Sequence, residues 1–154
     1  MAEKEKVKLV QRNKKAYFNY EIAEKLEAGL VLKGSEVKSI RDGKVSIAEA
    51  YARLKGGEVW VVGMDVAQYP QAGPYNNHEP RRPRKLLLHR SEIRKLAGKI
   101  QQKGLTLVPL ALYFKDGYAK LEIGVARGKK QFDKRHTIKA READRDIRRR
   151  MMKK

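Results

Sequence analysis

The sequence predicts a mainly β protein: an antiparallel β-barrel with two or three short helices inserted and a basic C-terminal tail that is disordered on its own. Three features carry that prediction. Apolar-rich runs flank Gly56-Gly57 and, again, Lys115-Asp116-Gly117, and both turn sequences tolerate the positive φ of a tight hairpin. Only one stretch reads as a strand–helix–strand crossover, which favours antiparallel packing over a doubly wound sheet. Closing so few strands into a barrel removes their exposed edges. Residues 128–154, finally, carry 12 Lys or Arg against 4 Asp or Glu with few large apolar side chains, too little to bury a core of their own. The implied organisation is a flexible N-terminal segment over residues 1–16, a barrel over 17–127 and the tail over 128–154.

Each element follows in order. Residues 1–16 alternate charges with few apolar anchors. Tyr20, Ile22, Leu26, Ala28, Leu30 and Leu32 then fall on even positions, the strand period, although Ile22, Ala23, Leu26 and Leu30 would also share a helical face. Gly34-Ser35 offers a break and an N-cap, Val37 and Ile40 lie three apart and Gly43 is a stop, so residues 36–41 read as a short helix. Val45 to Leu54 and Glu58 to Val66 form the first hairpin. Four of the five prolines lie between Pro70 and Pro83, which makes that stretch a long loop. It runs into Arg81-Arg82-Pro83-Arg84-Lys85. Ser91 can cap a helix whose stripe is Ile93, Leu96, Ala97 and Ile100 and whose end is Gly104. Leu105 to Phe114 and Tyr118 to Arg127 are the second hairpin, with Ala119, Leu121, Ile123 and Val125 alternating with polar neighbours. In the tail, Ala140, Ala143, Ile147 and Met151 would line a narrow helical stripe, supported by the i,i+4 pairs Asp144–Arg148 and Asp146–Arg150. Such a helix is marginal alone and would form against RNA.

Charge points to the partner class. The 154 residues hold 37 Lys and Arg against 18 Asp and Glu, a net +19 and a pI near 10.2, the electrostatic footprint of a nucleic-acid binder. A charge-rich surface also occurs in proteins from hot environments, but there the signs are mixed. Small oligonucleotide-binding barrels have this size and character. There is no cysteine, so thiolate metal sites and disulfides are excluded. His78, His89 and His136 have no metal-ligand spacing, no Gly-rich loop precedes Lys-Ser/Thr, and no Ser sits in a nucleophile elbow. Glu21, Glu24, Glu27, Glu36 and Asp65 could hold Mg²⁺ in a nuclease, but their spacing is generic. The expectation is a non-enzymatic, cytoplasmic, monomeric RNA binder with no cofactor, no metal and no membrane association.

Several strings can be read together: Glu27-Ala28-Gly29-Leu30, Gly34-x-Glu36-Val37-Lys38-Ser39-Ile40-Arg41-x-Gly43-Lys44, Arg84-Lys85-Leu86-Leu87-Leu88-His89, and Gly128-Lys129-Lys130 followed by Asp133-Lys134-Arg135. In order and spacing they resemble the small protein B family, the tmRNA-binding proteins of bacterial trans-translation, over about Asn13 to Arg141. The resemblance implies an oligonucleotide-binding-type barrel with inserted helices, no catalysis, and delivery of alanyl-tmRNA to 70S ribosomes stalled without a stop codon.

Residue by residue, the resemblance assigns Glu27 to the elbow of the tRNA-like domain of tmRNA, with Leu87 and His89 on the neighbouring surface. Arg84, Lys85, Lys129 and Lys130 fit phosphate contacts. Phe18 stands where many relatives carry His, which leaves stacking available and removes titration. Asp133, Lys134 and Arg135 match the motif that acts near the decoding centre. Phe132, Lys139, Arg141, Arg145, Ile147 and Arg148 go with it to small-subunit rRNA in the mRNA channel. A structural ribosomal protein with a basic extension is the alternative that composition alone would also serve.

Overall fold

The computed structural model describes residues 6–129. Nine strands and three helices follow one another: β1 Val7–Arg12, α1 Lys14–Asn19, β2 Tyr20–Leu30, α2 Gly34–Arg41, β3 Val45–Ser46, β4 Tyr51–Lys55, β5 Glu58–Val62, β6 Asp65–Val66, β7 Arg84–Leu87, α3 Arg90–Lys103, β8 Thr106–Lys115 and β9 Tyr118–Gly128, with a 3₁₀ turn at Pro70–Ala72. The main sheet has the order β1-β8-β4-β5-β7-β2-β9, and β8 also pairs with β9. The ladder therefore returns on itself through β8, β4, β5, β7, β2 and β9, and all of these pairings are antiparallel. This is an oligonucleotide-binding-like arrangement, as the sequence predicts.

The hairpins form where expected. Gly56 and Gly57 both have positive φ, 62° and 74°, and join β4 to β5, while Asp116 and Gly117, at 50° and 84°, join β8 to β9. Two left-handed residues give the turn the right-handed twist of its strands. The alternation of β9 places Leu121, Ile123 and Val125 at zero exposure in the core with Ala28, Ile40, Val59, Val61 and Leu86.

Three sequence expectations need correction. The expected single strands Val45–Leu54 and Glu58–Val66 each break in two: β3 and β6 form a separate two-stranded sheet. Gly63 supplies one break, with φ at 81°, and a Cβ there would sit 2.9 Å from the Glu49 carbonyl oxygen. Second, residues 7–19 are structured, although they belong mostly to the segment expected to be flexible. β1 pairs with β8, and two amide side chains clip it to the barrel. Gln11 accepts from the Ile47 N–H (2.6 Å) and donates to the Val45 carbonyl (3.2 Å). The buried Asn13 caps α1 by accepting from the Ala16 N–H (3.2 Å), and it donates to the Ile47 (3.3 Å) and Pro109 (3.0 Å) carbonyls. Polar anchors leave no apolar period to read. Third, Ser35 and Ser91 do not cap their helices. Glu36 and Glu92 instead accept from the Lys33 (2.8 Å) and His89 (3.2 Å) backbone N–H groups, and Ser35 Oγ faces His78 Nδ1 at 2.8 Å. The expected tail helix over 140–152 lies outside the described residues.

A buried polar knot ties α2 to the long loop. Glu36 is fully buried, with one carboxylate oxygen on Arg82 and the other 2.5 Å from Arg84 Nε. Arg84, also fully buried, donates further to the Met64 (2.6 Å) and Pro80 (3.0 Å) carbonyls. Beside it, His78 bridges Ser35 and the Val66 carbonyl, the latter at 2.9 Å. A carbonyl can only accept, so Nε2 carries the proton and Nδ1 accepts from the Ser35 hydroxyl. Burial alone would push the Glu36 carboxyl up. Hydrogen bonds from Arg82, the Lys33 amide and Arg84, together with the Arg84 charge, outweigh it and hold the group below the usual carboxylate range.

Removing one partner leaves a buried charge without compensation. Glu36→Ala or Arg84→Ala is therefore expected to lose about 3–5 kcal/mol of unfolding free energy in urea, and Glu36→Met with Arg84→Met to recover most of it. A depressed carboxyl contributes stability above its unfolded pKa of about 4.3 and loses it as pH falls through the lower folded value. The unfolding free energy should thus drop with acidification below about pH 5, and Glu36→Gln should flatten that slope. Single variants as stable as the wild type would contradict the role of the pair.

Candidate RNA interface

β2 is the strip on which the expected contacts are arranged. Ala28 points into the core and its neighbours Glu27 and Gly29 point out. The register sets Gly29 against Lys120 of β9 on one side and against Leu87 of β7 on the other. Gly29 matters for closeness: a Cβ there would lie 3.2 Å from Leu87 Cβ, so its absence lets β7 carry its side chain flush against the strip. Glu27, Gly29, Leu87, Leu88, His89, Glu92 and Lys120 line one shallow hollow of about 410 Å³. Leu87 is not core, as a leucine would be by default, but 54% exposed. His89, exposed, occupies the N-cap of α3, so helix and strand meet at the hollow's rim.

Glu27 is held in place. It accepts from the Tyr113 hydroxyl at 2.5 Å and from Lys115 Nζ at 3.5 Å. The Tyr113 hydrogen bond draws its carboxyl below the ordinary value against the opposing effect of burial, and the charges of Lys115 and Lys120 add to this. Burial and the Glu27 hydrogen bond push the Tyr113 hydroxyl above its ordinary value. Glu27 is therefore an oriented anion that stays charged at neutral pH. Its second face can accept from base amino groups or 2′-hydroxyls, which phosphate-seeking cations cannot do.

The other expected residues separate. Arg84 is corrected: its guanidinium is spent on Glu36 and two carbonyls inside the protein, so it positions β7 and meets no phosphate. Lys85 is half-buried and lies 3.6 Å from Glu58. Phe18 is half-buried in a second hollow with Lys15, Glu49 and Tyr51, and the Lys129 N–H donates to the Asn19 carbonyl at 2.9 Å. Because Tyr20 pairs with Gly128 and Gly29 with Lys120, Phe18 and Lys129 stand at one end of the β2–β9 ribbon and the Glu27 hollow at the other, roughly 25–30 Å away. Lys130 and the tail residues Phe132, Asp133, Lys134, Arg135, Lys139, Arg141, Arg145, Ile147 and Arg148 lie outside the described residues. Sequence reasoning missed Tyr113 and Lys120. Both are outward members of alternating strands, and pairing the two strands of the second hairpin in register would have set them opposite each other.

Replacing Tyr113 by Phe removes the hydroxyl that holds Glu27. Its carboxyl pKa should then rise towards the ordinary glutamate value, while the fold keeps its stability to within about 1.5 kcal/mol. Side-chain carboxyl NMR titration of both proteins reads this directly. An unshifted Glu27 in the variant would contradict the assignment.

Comparison with known proteins identifies the family. The SsrA-binding protein of Gloeothece citriformis is 53% identical over 146 residues, 95% of this chain and 94% of that one. The SsrA-binding protein of Carboxydothermus hydrogenoformans is 54% identical over 140 residues, 91% and 93%. A solved structure described as "tmRNA-SmpB: a journey to the center of the bacterial ribosome" superposes with a TM-score of 0.64 at 52% identity, covering 79% of this chain and 85% of that one. The family described as SmpB protein matches residues 10–153, and the chain belongs to that family.

Proposed function

We propose that this protein is the tmRNA-binding adaptor of trans-translation. Its barrel grips the tRNA-like domain of tmRNA, and its C-terminal tail enters the vacant mRNA path of a stalled 70S ribosome, where it licenses rescue and peptide tagging. The observation that carries the reading is the convergence of Glu27 with the sequence-distant Leu87 and His89 in one hollow, on a chain whose relatives are SsrA-binding proteins. The job is non-catalytic and cytoplasmic, carried out by a monomer with no cofactor. The ends of the β2–β9 ribbon divide the labour: the Glu27 end meets the RNA elbow, while Phe18 and Lys129 stand where the tail departs towards the small-subunit rRNA. A net charge of +19 supplies long-range attraction to both RNAs, and the oriented anion at Glu27 supplies discrimination.

Binding to a transcript of the tRNA-like domain should be steeply salt dependent. With Arg84 internal, about five phosphate contacts imply a log–log slope on the order of −4. Glu27→Ala should weaken this RNA selectively, although deleting a negative charge would improve general RNA binding. Better binding of all RNAs alike would sink the elbow assignment.

The tail is tested apart from the barrel. Truncation after Lys129, or alanines at Asp133, Lys134 and Arg135, should keep most RNA affinity and abolish tagging on stalled ribosomes. Ile147→Pro should do so in part, because proline costs a helix interior about 3 kcal/mol. Full tagging by the truncated protein would reduce the tail to a nonspecific anchor. An abundance equal to that of ribosomes would instead favour a structural ribosomal protein.

A further inference from the structure

A second and larger depression adjoins the Glu27 hollow. A groove of about 850 Å³ runs between α3 and the β4–β5 hairpin, sharing Leu87 and Leu88 with the hollow. Its floor is apolar: Leu54, Leu88, Ile93, Ala97 and Ile100, all of them only half-buried. Of the α3 stripe only Leu96 is sealed, at 2% exposure; Ile93 and Ile100 pack against the core and still leave part of their surface open to the groove. The rim is basic, with Lys55, Lys85, Arg90 and Arg94 against the single acid Glu58. A half-buried apolar floor under a cationic rim can take an unstacked base against its aliphatic surface and the Arg guanidinium planes, and the linking phosphates by their charges.

We infer that this groove binds an unstacked nucleobase of the same RNA whose elbow rests on Glu27, Leu87 and His89, with Arg90 and Arg94 on the flanking phosphates. The inference rests on the proposed function. Two observations select RNA as the occupant: the groove is continuous with the RNA hollow, and its rim charge is complementary to phosphate. An acidic amphipathic helix would also meet that rim, but nothing joins such a partner to the neighbouring hollow. A second copy of this chain, itself at +19, would be repelled.

The test uses the full-length protein and a transcript of the tRNA-like domain of tmRNA. Ala97→Glu places an acid on the groove floor and should weaken binding about tenfold. Arg94→Glu should lower the magnitude of the slope by about one. In the unaltered protein, photocrosslinks from 4-thiouridine-substituted transcript should map by mass spectrometry to residues 90–101. Full affinity in a folded Ala97→Glu protein, beside weakened binding by Glu27→Ala, would overturn the groove and leave the adaptor reading standing. Failure of the unaltered protein to prefer the tRNA-like transcript over an unrelated hairpin would overturn both. Should Ala97→Glu lose its cooperative urea transition, the crosslinks decide alone, and their absence from residues 90–101 rejects the inference. A dimer in sedimentation that Ala97→Glu dissociates without loss of RNA affinity would give the groove to a second copy and reject it as well.

Discussion

The structure depends on a charge placed where charges do not belong. Glu36 and Arg84 are both without solvent exposure, and each is satisfied by hydrogen bonds that arrive from different parts of the chain: Lys33 from the entrance of α2, Met64 from between β5 and β6, Pro80 and Arg82 from the exit of the long connection. A pair this deep adds little net stability over an apolar pair of the same shape, since desolvation consumes most of the attraction. What it supplies is geometry. The 68–83 segment is rich in proline and poor in apolar anchors, so burial alone would leave its path loosely determined. The Pro80 carbonyl on the buried guanidinium, Arg82 on Glu36, and His78 held between Ser35 and the Val66 carbonyl determine it. The segment ends by delivering Arg84 inward, and the alternation of β7 then turns Leu87 outward three residues later.

That sequence of constraints explains why the RNA surface is reliable although almost none of it is core. Leu87 is outward because Arg84 and Leu86 are inward. His89 is at the rim because it occupies the N-cap position of α3, two residues past the end of β7. Glu27 points at the hollow because Ala28 is packed and Tyr113, on β8, the strand beyond β2's partner β9, holds its carboxylate. Glu27 and Leu87 are each aimed by residues that lie outside the hollow. A preorganised anion of this kind costs less ordering entropy on binding than a mobile one, and its bond to a tyrosine keeps it charged across the neutral range.

How much of this was legible beforehand follows from the kind of signal each element carries. The two hairpins were plain, since Gly56-Gly57 and Asp116-Gly117 announce their φ angles and β9 alternates strictly. Helices α2 and α3 were found from apolar spacing and glycine stops, but their caps were misread. Serine is the commoner N-cap, yet here backbone-directed glutamates cap both helices, and Ser35 is recruited by a histidine 43 positions away. β1 and α1 were missed because Gln11 and Asn13, not apolar residues, attach them, and a polar anchor has no period. Glu27, Leu87 and His89 came from family resemblance; spacing would not have selected one carboxylate among 18 acids. Arg84 failed for the converse reason: its string is rich in cations, and nothing local marks which of them turns inwards to find a buried acid.

The inward arginine also bears on the electrostatics of recognition. Of the four cations in Arg81-Arg82-Pro83-Arg84-Lys85, Arg82 and Arg84 are committed to Glu36, Arg81 lies 3.4 Å from Asp65, and Lys85 lies 3.6 Å from Glu58. The most basic string in the barrel is thus largely neutralised from within, and it builds the scaffold more than it attracts phosphate. The two pairs of Arg81 and Lys85 are exposed or half-exposed, and such pairs are worth little in water. A phosphate can compete for those cations, whereas no phosphate can compete for Arg84. Attraction to RNA on the barrel therefore falls to scattered surface lysines and to α3. Residues 128–154 add 12 Lys or Arg against 4 Asp or Glu. A barrel that is only moderately attractive and well shaped, joined to a tail that is strongly attractive and has little core of its own, separates discrimination from grip along a single chain.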